Sequence, residues 1–329
     1  MSSNPDMNRR TLLALGGALL LQPSVRVVAA EGAGPTPPPA AQLPPNWLQA
    51  PTLPIWPAVP DAASFRTQPA DARWSPGYRR NVSVPDLKVF RPQRPNGHAV
   101  LVIPGGAYWF VSVVNEGAEL APRLTAKGFT VFVLTYRLPA EGWRARSDVP
   151  LQDAQRALRL IRSRATEFGI DAAKVSVLGF SAGGHLAATL ATEHAYKAYA
   201  SVDPVDAIDA RPFAVGLIYP VITMRKPWTH ALSRSLLLGD DASEAEVDRR
   251  SAELHVSAST PSTFLVHAND DKAVPVENSL RMLDALRKAG RPVEAHLLQE
   301  GDHAFGVGRP GTTSSYWIDL FCNWLERVR

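Results

Sequence analysis

Short apolar runs that alternate with helical patterns constrain the fold of this chain more than any other feature. Six runs rich in aliphatic and β-branched residues are separated by segments with apolar residues at helical spacing. Near-continuous apolar strands of this kind are typical of a parallel sheet covered on both faces. We therefore predict an α/β domain with a mostly parallel central sheet, helices on both faces, and a functional site at the carboxyl ends of the strands. The predicted strands span 98–103, 129–135, 174–178, 213–219, 263–267 and 294–298, and the predicted helices span 116–127, 151–168, 182–193, 277–289 and 316–328.

The pentapeptide Gly-Phe-Ser-Ala-Gly at 179–183 lies where the predicted strand 174–178 passes into a helix. A serine at that place must turn sharply from strand to helix, and the flanking glycines are needed because a side chain would clash in the tight turn. The five-letter pattern alone is weak, but in this context it predicts that Ser181 is a nucleophile. The alternative is an ordinary turn in which the serine caps the helix.

A serine hydroxyl is a poor nucleophile, so a histidine must take its proton and a carboxylate must orient that histidine. With this motif the acid and the histidine follow later in the chain, in the order Ser, Asp, His. Asp270 and Asp271 both lie just beyond the predicted strand 263–267, and their position alone favours neither. His303 lies in a glycine-flanked loop after the last predicted strand, where a base can reach over the sheet edge.

The oxyanion that develops during acyl transfer needs hydrogen-bond donors. By the usual arrangement these are the amide after the nucleophile and amides of a loop that follows an earlier strand. The rule predicts the backbone N–H groups of Ala182, Gly106 and Ala107 as donors. Tyr108 and Glu116, near the same loop, are candidate substrate contacts.

Four segments of the chain together resemble the acetyl and feruloyl esterase branch of the α/β-hydrolases, whose members include acetyl xylan esterases. The resemblance runs from about residue 82 to the C-terminus, and it implies an α/β-hydrolase fold without a large cap, a Ser-Asp-His triad and acetylated oligo- or polysaccharides as substrates. A general carboxylesterase acting on small esters is the alternative. The segments are Pro-Gly-Gly-Ala-Tyr (104–108), Gly-Phe-Ser-Ala-Gly-Gly-His-Leu (179–186), Asp-Asp-Lys-Ala-Val-Pro-Val-Glu-Asn-Ser (270–279) and Gly-Asp-His-Ala-Phe-Gly (301–306).

The resemblance also separates the two candidate acids, because the Asp-x-x-Val-Pro pattern of this branch falls on Asp271. Two positions depart from the pattern: Ala107 stands where the branch has the third loop glycine, and Ala304 stands where it has the glycine after the histidine. Both alanines keep the backbone N–H. The resemblance therefore implies retained chemistry in a narrower site, which disfavours bulky acids such as feruloyl.

The first 80 residues differ in composition from the rest of the chain. Arg9 and Arg10 precede an apolar run too short to span a bilayer, and small residues ending at Ala30 suit a signal peptidase. We predict a Tat-type signal peptide at 1–30, with a Sec-type signal as the alternative, and hence export to the periplasm or the medium. The sequence also predicts a proline-rich arm at 31–80, excluding long helices and central strands there, and a catalytic domain at 81–329.

Charge and composition exclude other classes of function. The formal net charge is +4, but the basic residues are scattered and form no stripe with interleaved aromatics, so we predict no nucleic-acid partner. Cys322 is the single cysteine, and the histidines show no paired ligand spacing, so we predict no metal and no cofactor. No second apolar run is long enough to cross a membrane. Asp153 and Arg156, on one predicted helix, are interpreted as a structural pair.

Overall fold

The computed structural model describes residues 41–69 and 74–328, and strands dominate its centre. The predicted signal peptide at 1–30 lies outside these ranges, as does the start of the predicted arm. Within the described ranges, no helix is both long and apolar enough to cross a bilayer. The strands are β1 (Thr52–Pro54), β2 (Tyr78–Arg79), β3 (Asp86–Phe90), β4 (Ala99–Ile103), β5 (Val111–Ser112), β6 (Thr130–Thr135), β7 (Val175–Phe180), β8 (Ala214–Ile218), β9 (Ser262–Ala268) and β10 (Val293–Leu298).

Helices connect most of these strands, and short 3₁₀ turns occur between them. The α-helices are α1 (Pro45–Gln49), α2 (Ala121–Thr125), α3 (Val149–Ser163), α4 (Ala165–Phe168), α5 (Ser181–Thr192), α6 (Ala231–Leu238), α7 (Glu244–Arg249), α8 (Glu277–Lys288) and α9 (Trp317–Leu325).

Eight strands form one sheet in the order β1-β3-β6-β4-β7-β8-β9-β10. The six strands from β6 to β10 in this order run parallel, and they are the six that the apolar runs predict. β3 and β1 are added antiparallel at one edge. Every residue of β4, β6, β7 and β8 is buried, which explains why these strands are apolar without alternation. The predicted α/β class with a mostly parallel sheet is confirmed.

The helices cover both faces of this sheet, as predicted. α3 and α5 pack together on one face, where α8 also lies, whereas α2 and α9 contact each other on the opposite face. Crossovers between parallel strands are right-handed. The chain moves across the sheet in one direction from β4 to β6 and in the other from β6 to β7, so α2 and α3 lie on opposite faces. The order of connections reverses between β4 and β7, and loops that follow such neighbouring strands diverge and leave a crevice at their carboxyl ends. Between β8 and β9 only α6, α7 and a 3₁₀ turn intervene, so no large cap is present in the described part of the chain.

Two predicted helices are interrupted in the structure. The segment predicted at 116–127 consists of a π-helical turn, Val114–Ala118, followed by α2, which has a proline in its first turn. The segment predicted at 151–168 breaks at Arg164, whose φ of −109° and ψ of 18° leave the helical region and separate α3 from α4. Both breaks depend on backbone geometry that the apolar spacing does not encode.

The described part of the predicted arm is integrated into the domain. β1 extends the sheet as an edge strand, which is a place where proline-rich sequence is tolerated. Trp47 and Trp56 are buried, and the indole N–H of Trp56 donates to Asp153 Oδ1 at 2.7 Å. The interpretation of Asp153 and Arg156 as a pair is wrong. Asp153 forms a fully buried ion pair with Arg137, whereas Arg156 binds Asp203, Asp206 and the carbonyl of Ile55.

Replacing Trp56 by alanine is expected to lower the free energy of unfolding by about 3–5 kcal/mol, because the change leaves a large cavity and removes a donor to a buried carboxylate. Trp56→Phe, which loses the N–H but keeps most of the ring, should cost less. Leu48→Ala is the matched control, since Leu48 lies on α1 but is 64% exposed. Urea unfolding of the three variants checks this, and equal losses for Trp56→Ala and Leu48→Ala would contradict a structural role for the arm.

Candidate active site

Ser181 lies at the point where β7 turns into α5, with a φ of 50°. A left-handed conformation at a residue with a side chain costs roughly 1–2 kcal/mol and is typical of functional turns. The neighbouring glycines make the turn possible. A Cβ at Gly183 would collide with the carbonyl oxygens of Ile103 and Pro104, and one at Gly179 would collide with the carbonyl of Gly183. The turn therefore projects the Ser181 hydroxyl beyond the carboxyl end of the sheet.

A continuous line of hydrogen bonds joins Ser181, His303 and Asp271. His303 Nε2 is 2.9 Å from Ser181 Oγ, and His303 Nδ1 is 2.7 Å from Asp271 Oδ2. The Asp271 side chain is fully buried, whereas the His303 side chain is 19% exposed. Because the carboxylate can only accept, Nδ1 carries the hydrogen and Nε2 is free to accept the serine proton.

Four N–H groups hold the Asp271 carboxylate. Oδ1 accepts from the backbone N–H groups of Ala273 and Val274, both at 2.9 Å, and Oδ2 accepts from His303 and from His267 Nε2 at 3.1 Å. Burial raises the pKa of Asp271, but the hydrogen bonds from the two histidines and from Val274 outweigh it and hold the pKa well below its ordinary value. Asp271 is therefore ionised at neutral pH.

His267, at the end of β9, is a neighbour of the acid that the sequence analysis missed. Its Nε2 lies 3.0 Å from the carbonyl of Val274, an acceptor, so Nε2 carries a hydrogen and also donates to Asp271. Its Nδ1 is 2.8 Å from the Ser279 hydroxyl, which completes its hydrogen bonding. The single signal in the sequence is a histidine four residues before an aspartate, which is too common to be diagnostic.

Asp270 and Asp271 have different environments. Asp270 is exposed, and its Oδ1 accepts the backbone N–H of Asp302 at 2.8 Å. It thus contacts the loop that carries His303, while Asp271 contacts the imidazole itself. The structure brings Asp271 to the histidine, as the family pattern implies.

The loop after β4 adopts an unusual backbone beside Ser181. Gly106, Ala107 and Tyr108 have φ values of 125°, 56° and 61°. Two alanines that replace glycines of the family pattern, Ala107 and Ala304, are left-handed, with Ala304 at 56°. These φ values explain the preference for glycine at both places. Gly106 and Ala107 line one cavity with Ser181, and Ala182 follows Ser181 in the first turn of α5, so the three predicted donors lie close together.

Glu116 connects this loop to the loop that carries His303. Its Oε2 accepts the N–H of Gly105 at 2.6 Å, and its Oε1 accepts the hydroxyl of Tyr219 at 2.9 Å. The Tyr219 hydroxyl in turn accepts the N–H of Gly306 at 3.1 Å, and its ring packs against His303. Burial raises the pKa of Glu116, partly offset by these donors. Glu116 lines the cavity, but its oxygens are engaged in positioning the two loops. Tyr219 was missed because nothing in the sequence marks it.

The prediction that the Tyr108 side chain contacts substrate is not supported by the structure. Tyr108 is 1% exposed, and its hydroxyl lies 2.7 Å from His185 Nδ1. His185 Nε2 is 2.7 Å from the carbonyl of Arg250 and must donate to it, so the tyrosine hydroxyl donates to Nδ1. Burial lowers the pKa of His185 to about 4, which agrees with a neutral ring. The left-handed backbone at 106–108 turns this side chain into the protein.

A cavity of about 290 Å³ opens above Ser181. It combines residues of the loop after β4 with residues of the loops that carry Asp271 and His303. His230, which precedes α6, also lines it, and no pattern in the sequence marks this histidine. The lining residues are Tyr78, Gly106, Ala107, Phe110, Ser112, Asn115, Glu116, Ser181, His230, Ala273, His303 and Ala304.

Aromatic side chains form one part of the rim of this cavity: Tyr78 and Phe110 line it, and Trp74 and Trp109 pack against them. Trp74 packs edge-on against Trp109 with ring centroids 4.6 Å apart, and Phe110 packs against Tyr78 at 5.0 Å. The guanidinium of Arg80 lies over the rings of Trp74 and Trp109. All five side chains are partly exposed, so the rim offers flat apolar faces next to polar groups.

Comparison with known proteins places the chain in a family. The BD-FAE family model matches residues 87–286, which is more than half of the chain. An acetylxylan esterase from Xylanibacter ruminicola is 32% identical over 243 residues, covering 73% of this chain and 47% of that protein. The endo-1,4-beta-xylanase B of Butyrivibrio fibrisolvens is 36% identical over 208 residues, covering 63% of this chain and 32% of that protein. The chain thus spans half or less of the length of these two relatives.

The chain also matches a solved structure over nearly the whole length of that structure. The acetyl ester-xyloside bifunctional hydrolase from Caldicellulosiruptor lactoaceticus superimposes with a TM-score of 0.72 at 33% identity, covering 84% of this chain and 96% of that one. An α/β hydrolase from a deep-sea metagenome, MGS-M1, superimposes with a TM-score of 0.59 at 27% identity, covering 85% of this chain and 97% of that one. The chain belongs to the BD-FAE family of α/β-hydrolase-fold proteins, in the acetyl xylan esterase branch that its motifs resemble.

Proposed function

We propose that this protein is a serine esterase in which Ser181 is the nucleophile, His303 the general base and Asp271 the orienting acid. The observation that carries the proposal is the unbroken hydrogen-bonded line from Ser181 Oγ through His303 to Asp271 Oδ2, with distances of 2.9 and 2.7 Å. It lies on a strained turn at the carboxyl ends of parallel strands, where a reacting ester has access from the cavity.

The geometry supports a two-step reaction. Ser181 Oγ attacks the ester carbonyl while His303 Nε2 takes the hydroxyl proton, and the resulting imidazolium is stabilised by the Asp271 carboxylate. Collapse of the tetrahedral intermediate breaks the bond to the alcohol, which leaves with the proton from His303, and an acyl-serine remains. Water then attacks this acyl-enzyme, giving its proton to His303, and the acid is released with Ser181 restored.

The N–H groups of Gly106, Ala107 and Ala182 are the proposed oxyanion donors. Each such donor is typically worth about 10²–10³ in rate. Hydrogen bonds hold the loop in place from both sides: the Tyr136 hydroxyl donates to the carbonyl of Pro104, and the Gly105 N–H donates to Glu116. The Glu116 carboxylate therefore holds the loop in position through the N–H of Gly105, which is not one of the proposed oxyanion donors.

We propose acetyl esters of oligo- or polysaccharides as substrates. The relatives named acetylxylan esterase and acetyl ester-xyloside bifunctional hydrolase support this, and so does the partly exposed aromatic rim, because sugar rings stack on such faces. The methyl groups of Ala107 and Ala304 reduce the space beside the reacting carbon, which favours a small acyl group over a bulky one. A general carboxylesterase acting on small esters is the competing function.

The proposed setting of the reaction is outside the cytoplasm. The twin arginines, the short apolar run and the small residues before residue 31 support export, by the Tat pathway in our proposal. An exported enzyme meets polysaccharide fragments directly, which agrees with the proposed substrate.

The wild-type enzyme is expected to release acetate from acetylated xylan oligomers and to hydrolyse p-nitrophenyl acetate faster than the butyrate or octanoate. Ala107→Gly should shift the butyrate-to-acetate ratio of kcat/KM upward by about 10-fold, because it removes a methyl group from the cavity wall. Glycine accepts the φ of 56° at this position, so the backbone should be retained.

Acetate release measured by an enzyme-coupled assay, together with the acyl-chain profile, distinguishes the two functions. A preference for octanoate with no acetate from any glycan would favour the general carboxylesterase. Acetate release from xylan oligomers with a steep decline from acetate to butyrate would support the carbohydrate esterase.

A further inference from the structure

His230 lines the cavity above Ser181, and it comes from a part of the chain that supplies none of the groups proposed for the reaction. It precedes α6 in the segment between β8 and β9, whereas the proposed nucleophile, base and acid follow β7, β10 and β9. It lies on the side of the acid and the base, because it lines the cavity together with Ala273 and His303, and the carbonyl of Trp228, two residues before it, accepts the side-chain N–H of Asn278 at the start of α8.

The hydrogen bond of His230 to Ser233 determines which ring nitrogen carries the hydrogen. Nδ1 is 2.8 Å from the hydroxyl of Ser233, a fully buried residue. Within residues 41–69 and 74–328, this hydroxyl has no other hydrogen-bond partner, so its proton is satisfied only if it donates to Nδ1. Nδ1 is then the acceptor, and the hydrogen of the neutral ring is on Nε2.

Nε2 has no hydrogen-bond partner in the described part of the chain. Burial, followed by the charge of His303, lowers the pKa of His230 to about 4, so the ring is neutral at ordinary pH. The cavity therefore contains a neutral N–H donor, fixed in direction by Ser233, and the proposed base lines the same cavity. Such a donor is suited to an uncharged oxygen of a ligand.

The position of His230 decides which part of an ester it meets. The acyl oxygen is directed to the amides at 106, 107 and 182, while His303 returns its proton to the leaving alcohol. A donor on the side of His303 consequently faces the alcohol. For p-nitrophenyl acetate that alcohol has no hydroxyl beside the ester, whereas a sugar carries one on the neighbouring carbon.

We propose that His230 is a specificity-determining residue whose Nε2–H donates a hydrogen bond to the hydroxyl next to the acetylated oxygen of the leaving sugar. This inference rests on the proposed carbohydrate esterase function. It assigns recognition of the sugar hydroxyl next to the acetyl ester to a residue outside the proposed Ser-Asp-His triad.

The first test compares His230→Leu with wild type on acetylated xylo-oligosaccharide and on p-nitrophenyl acetate. The ratio of kcat/KM for the sugar to kcat/KM for the aryl ester should fall by about 10-fold or more, as expected for the loss of one well-placed hydrogen bond. His230→Asn, which retains an N–H donor, should recover part of this ratio. His296→Leu is the matched control, because His296 lies on β10 with Glu294 as its partner and should leave the ratio unchanged.

The second test removes from the substrate the hydroxyl that His230 is proposed to bind. A monoacetylated sugar with a deoxy carbon next to the ester should be a poorer substrate for wild type than its hydroxylated counterpart, while His230→Leu should no longer distinguish the two. Ser233→Ala, which frees Nδ1 to take the hydrogen, should lower the wild-type preference by a smaller factor.

The outcomes separate this inference from the function on which it rests. If wild type releases no acetate from any glycan, both the inference and the carbohydrate esterase function are overturned. If wild type releases acetate from a glycan but His230→Leu lowers kcat/KM equally for both substrates, or for neither, only the assignment of His230 is overturned.

Discussion

Replacing Ser181 by alanine is expected to lower esterase activity by about 10⁵–10⁶-fold while the protein stays folded. The hydroxyl is the atom that forms the acyl-enzyme, and no other hydroxyl is hydrogen-bonded to His303 in the described residues. Alanine keeps the Cβ of serine, so the backbone strain at a φ of 50° is the same in both proteins. The effect should therefore appear in kcat and not in the unfolding transition.

Ser176→Ala provides a matched control for this variant. Ser176 lies on β7, the strand that ends at the nucleophile, and its buried hydroxyl has no hydrogen-bond partner in the described part of the chain. Its loss should leave both activity and stability near wild type. Labelling by a fluorophosphonate probe should occur in wild type and Ser176→Ala and disappear in Ser181→Ala. Substantial turnover by a folded Ser181→Ala protein would contradict the nucleophile assignment.

The parallel part of the sheet was predictable because its strands are buried on both faces. β4, β6, β7 and β8 contain no exposed residue, so a nearly continuous apolar run is their expected pattern. β3 and β1 are different. β3 alternates between buried and partly exposed positions, and β1 has three residues and lies next to prolines. Their place at the antiparallel edge depends on pairing with distant strands, which local sequence does not specify.

The same distinction applies to the candidate site. Ser181 and His303 lie in local motifs whose glycines are required by tight turns, and the Asp-x-x-Val-Pro pattern of the resembling family selects Asp271 over Asp270, so the sequence indicated all three. His267, Tyr219 and His230 have no such motif. His267 lies near the end of β9, Tyr219 directly follows β8 and His230 precedes α6, and only the folded chain brings them to the site. The side chain of Tyr108 was misassigned for a related reason: proximity in sequence to the loop donors did not reveal the left-handed turn that buries it.

Substitutions of the adjacent residues Asp270 and Asp271 are expected to differ strongly in their effect on kcat, because only Asp271 is hydrogen-bonded to His303. Asp271→Asn is expected to lower kcat by about 10⁴-fold, whereas Asp270→Asn should stay within about 10-fold of wild type. Asp270 is exposed, and an asparagine there can still accept the N–H of Asp302 through its amide oxygen.

The surroundings of Asp271 explain why an amide fails at this position. Two backbone N–H groups point at Oδ1, so the oxygen of an asparagine would occupy that place and its NH₂ would face His303 and His267. His267 donates toward this atom and would meet another donor. His303 Nδ1 would have to accept a hydrogen bond, which moves its hydrogen to Nε2, and Nε2 could then no longer take the proton of Ser181. Steady-state rates of the two variants on p-nitrophenyl acetate, compared at equal folded fraction, check this expectation. Similar losses in both, or a larger loss in Asp270→Asn, would mean that the carboxylate bound to His303 in the structure is not the one that orients it during the reaction.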